Sequence, residues 1–393
     1  MIFNTLGYYL LFLFPAAVLF RLVKADLRPL VCLLFGAGFF VYFSVTQVGG
    51  LAGAFCLLIF IWESLFSRLY KKGSWLCWFG VAQAILFLVV FKYWNFLIGL
   101  MFGTGAANPW RWDGAFLPLG ISFFTFEFIH YAVDRHRGTT VPGRMRDYMA
   151  FILFFPTMVA GPIKRYQDFL PTLLEPEQDW ATNWHRGVTR ILCGLAKKFA
   201  VADLMTAFTD HLNQRDIAGA QRWVLPVWLL AYGVKIYFDF SAYSDIAIGS
   251  SRLFGIKVKE NFNWPYLRTN IADFWQSWHI SLYRWLVDYV FIPLGGSRVS
   301  VPKIYRNVLL TMLLSGIWHG AGLNFLVWGL WHGMLLCVHR VWTSLRGPRP
   351  ESRSVISTAA AWLLTFVSVN AGWAFFVMDL PTAMLFFRRL LNL

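Results

Sequence analysis

Apolar stretches long enough to cross a membrane recur along nearly the whole chain, separated by short polar segments rich in Arg and Lys. A helix needs roughly 20 such residues to span the hydrocarbon core. The hydropathy pattern predicts spans near 4–20, 28–46, 51–67, 75–101 and 115–133, followed by apolar runs near 188–210, 223–249, 308–343 and 356–378. With a tryptophan-rich stretch at 262–294, this implies about ten or eleven crossings. FILFFPTMVAGPI, at 151–163, is too short and too interrupted by Pro156, Gly161 and Pro162 for a simple span, and predicts a broken or re-entrant helix. Residues 164–187 carry mixed charge and read as a loop with a surface helix. None of the runs alternates with the period of a barrel strand, and lipid offers no water to satisfy an open backbone, so the expected fold class is an all-α integral membrane protein. No repeat or linker divides it, which predicts a single polytopic domain over residues 1–393.

Composition sharpens this picture. Of 393 residues, 58% are hydrophobic and 14% charged, and the mean hydropathy of +0.54 excludes an ordinary soluble domain. The net charge of +15 could suggest nucleic acid as a partner, but the basic residues sit in short loops. Arg21, Lys24 and Arg28 follow the first span, Arg68, Lys71 and Lys72 the third, and Arg135, Arg137, Arg144 and Arg146 the fifth. That alternation predicts cytoplasmic basic loops and an extracytoplasmic N terminus, with contacts to anionic lipid and none to nucleic acid. The opening MIFNTLGYYLLFLFPAAVLF has no basic leader and no small-residue cleavage site, so it is expected to remain as the first span. Cys32, Cys56, Cys77, Cys193 and Cys337 form no CxxC pair, which indicates neither a disulfide framework nor a zinc knuckle.

Three groups of polar residues interrupt the apolar runs, and each must have a partner or a task because an ionisable group in a span costs at least a few kcal/mol. In YFDFSAYSDIAIG, Asp239 and Asp245 are six residues apart, hence about 240° apart on a helix, and do not face one another. They either anchor neighbouring helices, together with Ser241, or line a cation or proton pathway. In FWQSWHISLYRW, His279 lies among Trp275, Trp278 and Trp285, where it is either structural or part of a buried cavity. In SGIWHGAGLNFLVWGLWHG, His319 follows Trp318 and sits beside Gly316, Gly320 and Gly322, which permit close backbone approach or a local break. A neutral imidazole there can take a proton from a hydroxyl, although a helix-bridging His is the plainer alternative. His332 repeats the Trp-His-Gly pattern thirteen residues on, about 20 Å away along a continuous helix, too far to share one reaction centre unless the helix breaks. No HxxxH or HxxEH spacing occurs, so no metal site is expected.

These residues, with LPLGISFFTFEFIHYAVD, FFPTMVAGPIKRY and NFNWPYLRTNIADFWQSWHISLYRWLVDYVFIPLGG, make the sequence resemble the membrane-bound O-acyltransferase superfamily, in particular its bacterial alginate O-acetyltransferase branch. The matching segments cover most of residues 117–333, the expected catalytic core. The resemblance implies a helical bundle around a central tunnel in a bacterial cytoplasmic membrane, with His319 catalytic and His279 lining the same tunnel. It implies an acyl thioester, such as acetyl-CoA, as donor substrate from the cytoplasm and no permanently bound cofactor. It also implies a polysaccharide hydroxyl as acceptor on the far side, reached directly or through an extracytoplasmic acetyltransferase partner. Trp278, Asp239, Ser241, Asp245, Asn324 and Trp318 are the candidate substrate contacts. The same motifs occur in the teichoic-acid D-alanyl transfer protein, which the chain resembles in length, so D-alanyl transfer is an alternative. Gln276, Ser277, Val287 and Val377 replace residues that are commonly basic in the family. Outside the enzyme class, the rival readings are a transporter or flippase for a polysaccharide precursor, which would carry inverted repeats, and a non-catalytic assembly platform.

Overall fold

The computed structural model describes residues 2–48, 50–103, 108–112, 117–346 and 354–392, and these build an all-helical protein. Four of the helices among the described residues, Ala25–Thr46, Leu76–Phe102, Val224–Leu253 and Val355–Val377, are long and apolar enough to cross a membrane. Residues 115 and 116 of the fifth expected span lie outside the described residues. The helix there, Ile121–Arg137, starts directly after Gly120, which takes the left-handed φ of 72°. A Cβ at Gly120 would lie 2.7 Å from the Met158 carbonyl oxygen, so both the turn and the close approach require glycine.

The described residues form two compact units. The first comprises Met1–Leu195 and Tyr243–Lys259. Its core is aromatic: Phe39 packs on Phe12, Phe155 and Tyr8, and the Tyr8 hydroxyl donates to Ser250 Oγ at 2.9 Å. Segment 151–163 is broken, as its prolines and glycine require. Helix Met145–Ile152 ends, a single turn Phe155–Met158 follows, and the chain then turns at Gly161 and Pro162. Residues 166–174 are helical and Trp180–Lys197 forms a long helix, where a loop with one surface helix was expected. Gly187 and Gly249 bring that helix against the C-terminal part of Val224–Leu253. A Cβ on either glycine would lie within 2.8 Å of the other's carbonyl oxygen. Lys164 Nζ meets Glu127 at 2.5 Å in full burial, with the Phe151 ring 4.5 Å away.

The second unit comprises Ala196–Ala242 and Glu260–Leu393. Its core contains Trp275, Trp278, Trp328 and Trp373 together with Phe274, Met312 and Phe386, all at most 6% exposed. Tyr266 ties this core together: its hydroxyl donates to the Gly233 carbonyl at 2.7 Å and accepts from Trp373 Nε1 at 3.0 Å. Such bonds matter here because a polar group buried without a partner costs about 1–3 kcal/mol.

Candidate active site

The apolar run at 308–343 is not one helix. Helix Val301–His319 ends at His319, Gly320 is extended at φ −164°, and a new helix, Leu323–Arg346, starts three residues later. Glycines make the break and the hairpin it creates. The Phe325 ring occupies the space a side chain at Gly320 would need, and a Cβ on Gly316 would strike the Phe325 carbonyl and sit 3.1 Å from Gly329. A Cβ on Gly329 would in turn lie 2.5 Å from the Met312 carbonyl oxygen, so the two helices cross with their backbones touching. His319 therefore stands at the apex of a helical hairpin, half-buried, with its ring 4.7 Å from Trp318, 5.0 Å from Trp328 and 4.9 Å from Phe376.

The break also changes the position of His332. Its ring lies 4.9 Å from Trp328 and 5.1 Å from Trp275, so His319 and His332 pack against the same indole instead of lying 20 Å apart on one straight helix. His332 is completely buried, and neither ring nitrogen has a hydrogen-bond partner among the described residues. Its Nε2 fills the space beside Gly372, where a Cβ would lie 2.7 Å away.

His279 occupies the turn between two short helices, Ile271–Ser277 and Ile280–Leu286, in the left-handed conformation at φ 44°. That backbone is costly for a non-glycine residue and is held by surrounding structure. The Ile280 N–H donates to the Asn261 carbonyl at 2.9 Å, and the Asn261 side-chain oxygen accepts from the Ser281 N–H at 3.1 Å. His279 is 2% exposed, with Phe240 edge-on at 4.6 Å and Trp318 at 6.3 Å. Trp318 thus neighbours both histidines, its ring 6.3 Å from His279 and 4.7 Å from His319.

The other sequence candidates separate. Trp278 is buried against Phe274, Phe262 and Trp373, as a wall behind the His279 turn. Asn324 starts the second hairpin helix and donates from Nδ2 to the Phe375 carbonyl at 3.1 Å. Ser241 bonds back to the Phe238 carbonyl at 3.4 Å within its own helix. Asp239 accepts from Lys198 Nζ at 2.6 Å, and Lys198 also meets Asp203 at 2.6 Å. In the first unit, Asp245 is held by Arg190 at 2.9 Å. The two aspartates thus answer to different cations, as their angular separation requires. Among the described residues no three His, Cys, Asp or Glu side chains converge to hold a metal ion.

Sequence reasoning missed Asn261 as the partner of His279, and Lys198 and Arg190 as partners of the two acids. An unpaired acid in an apolar helix does imply a cation nearby. It gives no sign of which neighbouring segment supplies it.

The family model described as MBOAT, membrane-bound O-acyltransferase family, matches residues 142–371, which include both histidines and the whole hairpin. The probable alginate O-acetylase AlgI of Pseudomonas aeruginosa is 37% identical over 305 residues, covering 76% of this chain and 56% of the relative. Its Azotobacter vinelandii counterpart is 34% identical over 385 residues, 96% of this chain and 75% of the relative. The peptidoglycan O-acetyltransferase of Helicobacter pylori is 32% identical over 403 residues, 94% of this chain and 73% of the relative. The chain spans little more than half the length of the Pseudomonas relative. A family match over more than half of the chain, with a hairpin histidine set among aromatic rings, leads to one conclusion: this chain belongs to the membrane-bound O-acyltransferase family.

Proposed function

We propose that this chain moves an acyl group, an acetyl group foremost, from a cytoplasmic thioester to a hydroxyl on the far side of the membrane. The observation that carries this reading is His319 at the hairpin apex, half-buried among Trp318, Trp328 and Phe376, with the His279 ring 6.3 Å from Trp318. In that setting His319 removes the proton from the incoming hydroxyl as its oxygen attacks the thioester carbonyl. The C–O bond forms, the C–S bond breaks, and the proton passes to the departing sulfur. General-base help of this kind is worth about 10²- to 10⁴-fold. Aromatic walls exclude water, which would otherwise compete as the nucleophile.

The acceptor is a polysaccharide, as the names of the alginate and peptidoglycan relatives suggest for this chain too. It is reached directly or through a partner acetyltransferase whose serine relays the group. The donor is acetyl-CoA, entering from the basic cytoplasmic face. The whole chain works as one polytopic domain of ten or eleven crossings, by the hydropathy count. It surrounds a tunnel in a bacterial cytoplasmic membrane, with the N terminus outside and residues 117–333 as the catalytic core. The test is transfer from labelled acetyl-CoA in proteoliposomes supplied with alginate, peptidoglycan fragments or another exopolysaccharide. Label appearing as ester on one of them is the expected result. Transfer of D-alanine from a carrier thioester, with none of acetyl, would move the chain to the D-alanyl alternative. Export of an unmodified precursor would move it to the flippase class.

A further inference from the structure

Asn261 is fully buried, at 0% exposure, and it organises the turn that carries His279. Its side-chain Oδ1 receives the main-chain N–H of Ser281 at 3.1 Å and the Ser281 hydroxyl at 2.9 Å. A main-chain N–H can only donate, so the atom facing it is the amide oxygen and not the amide nitrogen. The same oxygen lies 3.1 Å from His279 Nδ1. Because that oxygen only accepts, Nδ1 must carry a proton; without one, two lone pairs would face each other in a buried place. In a neutral imidazole the lone pair is then on Nε2. His279 Nε2 is buried, and it makes no hydrogen bond among the described residues. A buried acceptor without a hydrogen bond is unfavourable, and such a group is expected where a ligand completes the bond.

From this geometry we infer that Asn261 is a positioning residue that locks His279 as its Nδ1–H tautomer, so that Nε2 accepts a hydrogen bond from an O–H or N–H of the bound substrate. The inference rests on the acyl-transfer reading for its substrate and deepens it, because it separates the two histidines. A neutral His279 in this tautomer does not donate to the developing oxyanion. Its partners are the hydroxyl of the acceptor or an amide N–H of the donor's arm. A merely structural Asn261 would explain the bonds to Ile280 and Ser281, but would leave the bare Nε2 without a task.

The test uses the full chain with ¹⁵N-labelled histidine in lipid nanodiscs, the His279 signals being assigned by difference from His279→Gln. At about pH 8, above the usual imidazole range, the wild type is expected to show a protonated Nδ1 and a bare Nε2. Asn261→Asp, which keeps the acceptor, retains that pattern, and Asn261→Leu loses it. In acetyl transfer, Asn261→Leu lowers kcat/KM by about 10²-fold, the scale of a lost acid–base contact, and Asn261→Asp restores most of it. An Nε2–H tautomer in the wild type overturns the inference whatever the activity. An unchanged tautomer and unchanged kcat/KM in folded Asn261→Leu also overturn it. Should Asn261→Leu not fold, the wild-type and Asn261→Asp spectra decide alone. The expected tautomer in a protein that moves no acetyl group would sink the acyl-transfer reading and leave the tautomer lock standing.

Discussion

Residues 237–249 set two aspartates into an apolar helix, and residues 315–333 set two histidines into an apolar hairpin. Asp239 is neutralised by Lys198 at 2.6 Å and Asp245 by Arg190 at 2.9 Å. Around the histidines stand aromatic rings: His319 lies against Trp318, Trp328 and Phe376, and His332 against Trp275 and Trp328. Charge pairing satisfies the first stretch internally and holds its helix to the segment before it. In the second stretch, close backbone contact at Gly316 and Gly329 brings the two helices together. The difference lies in what holds each stretch: ion pairs to another segment in the first, backbone contact at glycines in the second.

The sharpest way to break this comparison is at the hairpin. Gly316→Leu places side-chain atoms where the Phe325 carbonyl and Gly329 already are, and is expected to cost about 4 kcal/mol or more. Thermal unfolding in detergent should show no cooperative transition. A well-folded Gly316→Leu protein would mean that the crossing does not depend on backbone contact. Arg190→Ala, which removes the Arg190 contact from Asp245, should lower stability by about 2 kcal/mol, the scale of a charge-assisted hydrogen bond. The smallest effect belongs to Asp239→Asn. That side chain is 27% exposed and Lys198 keeps Asp203, so the loss should stay under about 1 kcal/mol. A large fall in transfer rate from Asp239→Asn at unchanged stability would put the acid in the substrate path and weaken the division drawn here.

Much of this was legible in the sequence, for reasons that also mark the limits. Length and apolarity predict the helix at 356–378, found as Val355–Val377, because a membrane-spanning run depends only on its own residues. Pro156, Gly161 and Pro162 announce the break after Ile152, because they act on the local backbone. The hairpin was only half legible: Gly320 and Gly322 permit a break, but hydropathy continues across them, and the run at 308–343 reads as one. The crossing of Gly316 and Gly329 makes it two helices, and that contact belongs to tertiary structure. Asn261 was silent for the same reason: it lies eighteen residues from His279 and meets it only when the 261–281 segment folds back. The Lys198–Asp239 pair joins two segments whose apolar patterns are independent of one another.

The central claim is that His319 is the base in acyl transfer, and one comparison tests it directly. Wild-type protein and His319→Ala, matched for expression and thermal stability, are given labelled acetyl-CoA and a polysaccharide acceptor in proteoliposomes. A fall of about 10²- to 10⁴-fold with an unchanged unfolding transition is the predicted result. Undiminished transfer by a stable His319→Ala protein would contradict it and leave the hairpin histidine a packing residue.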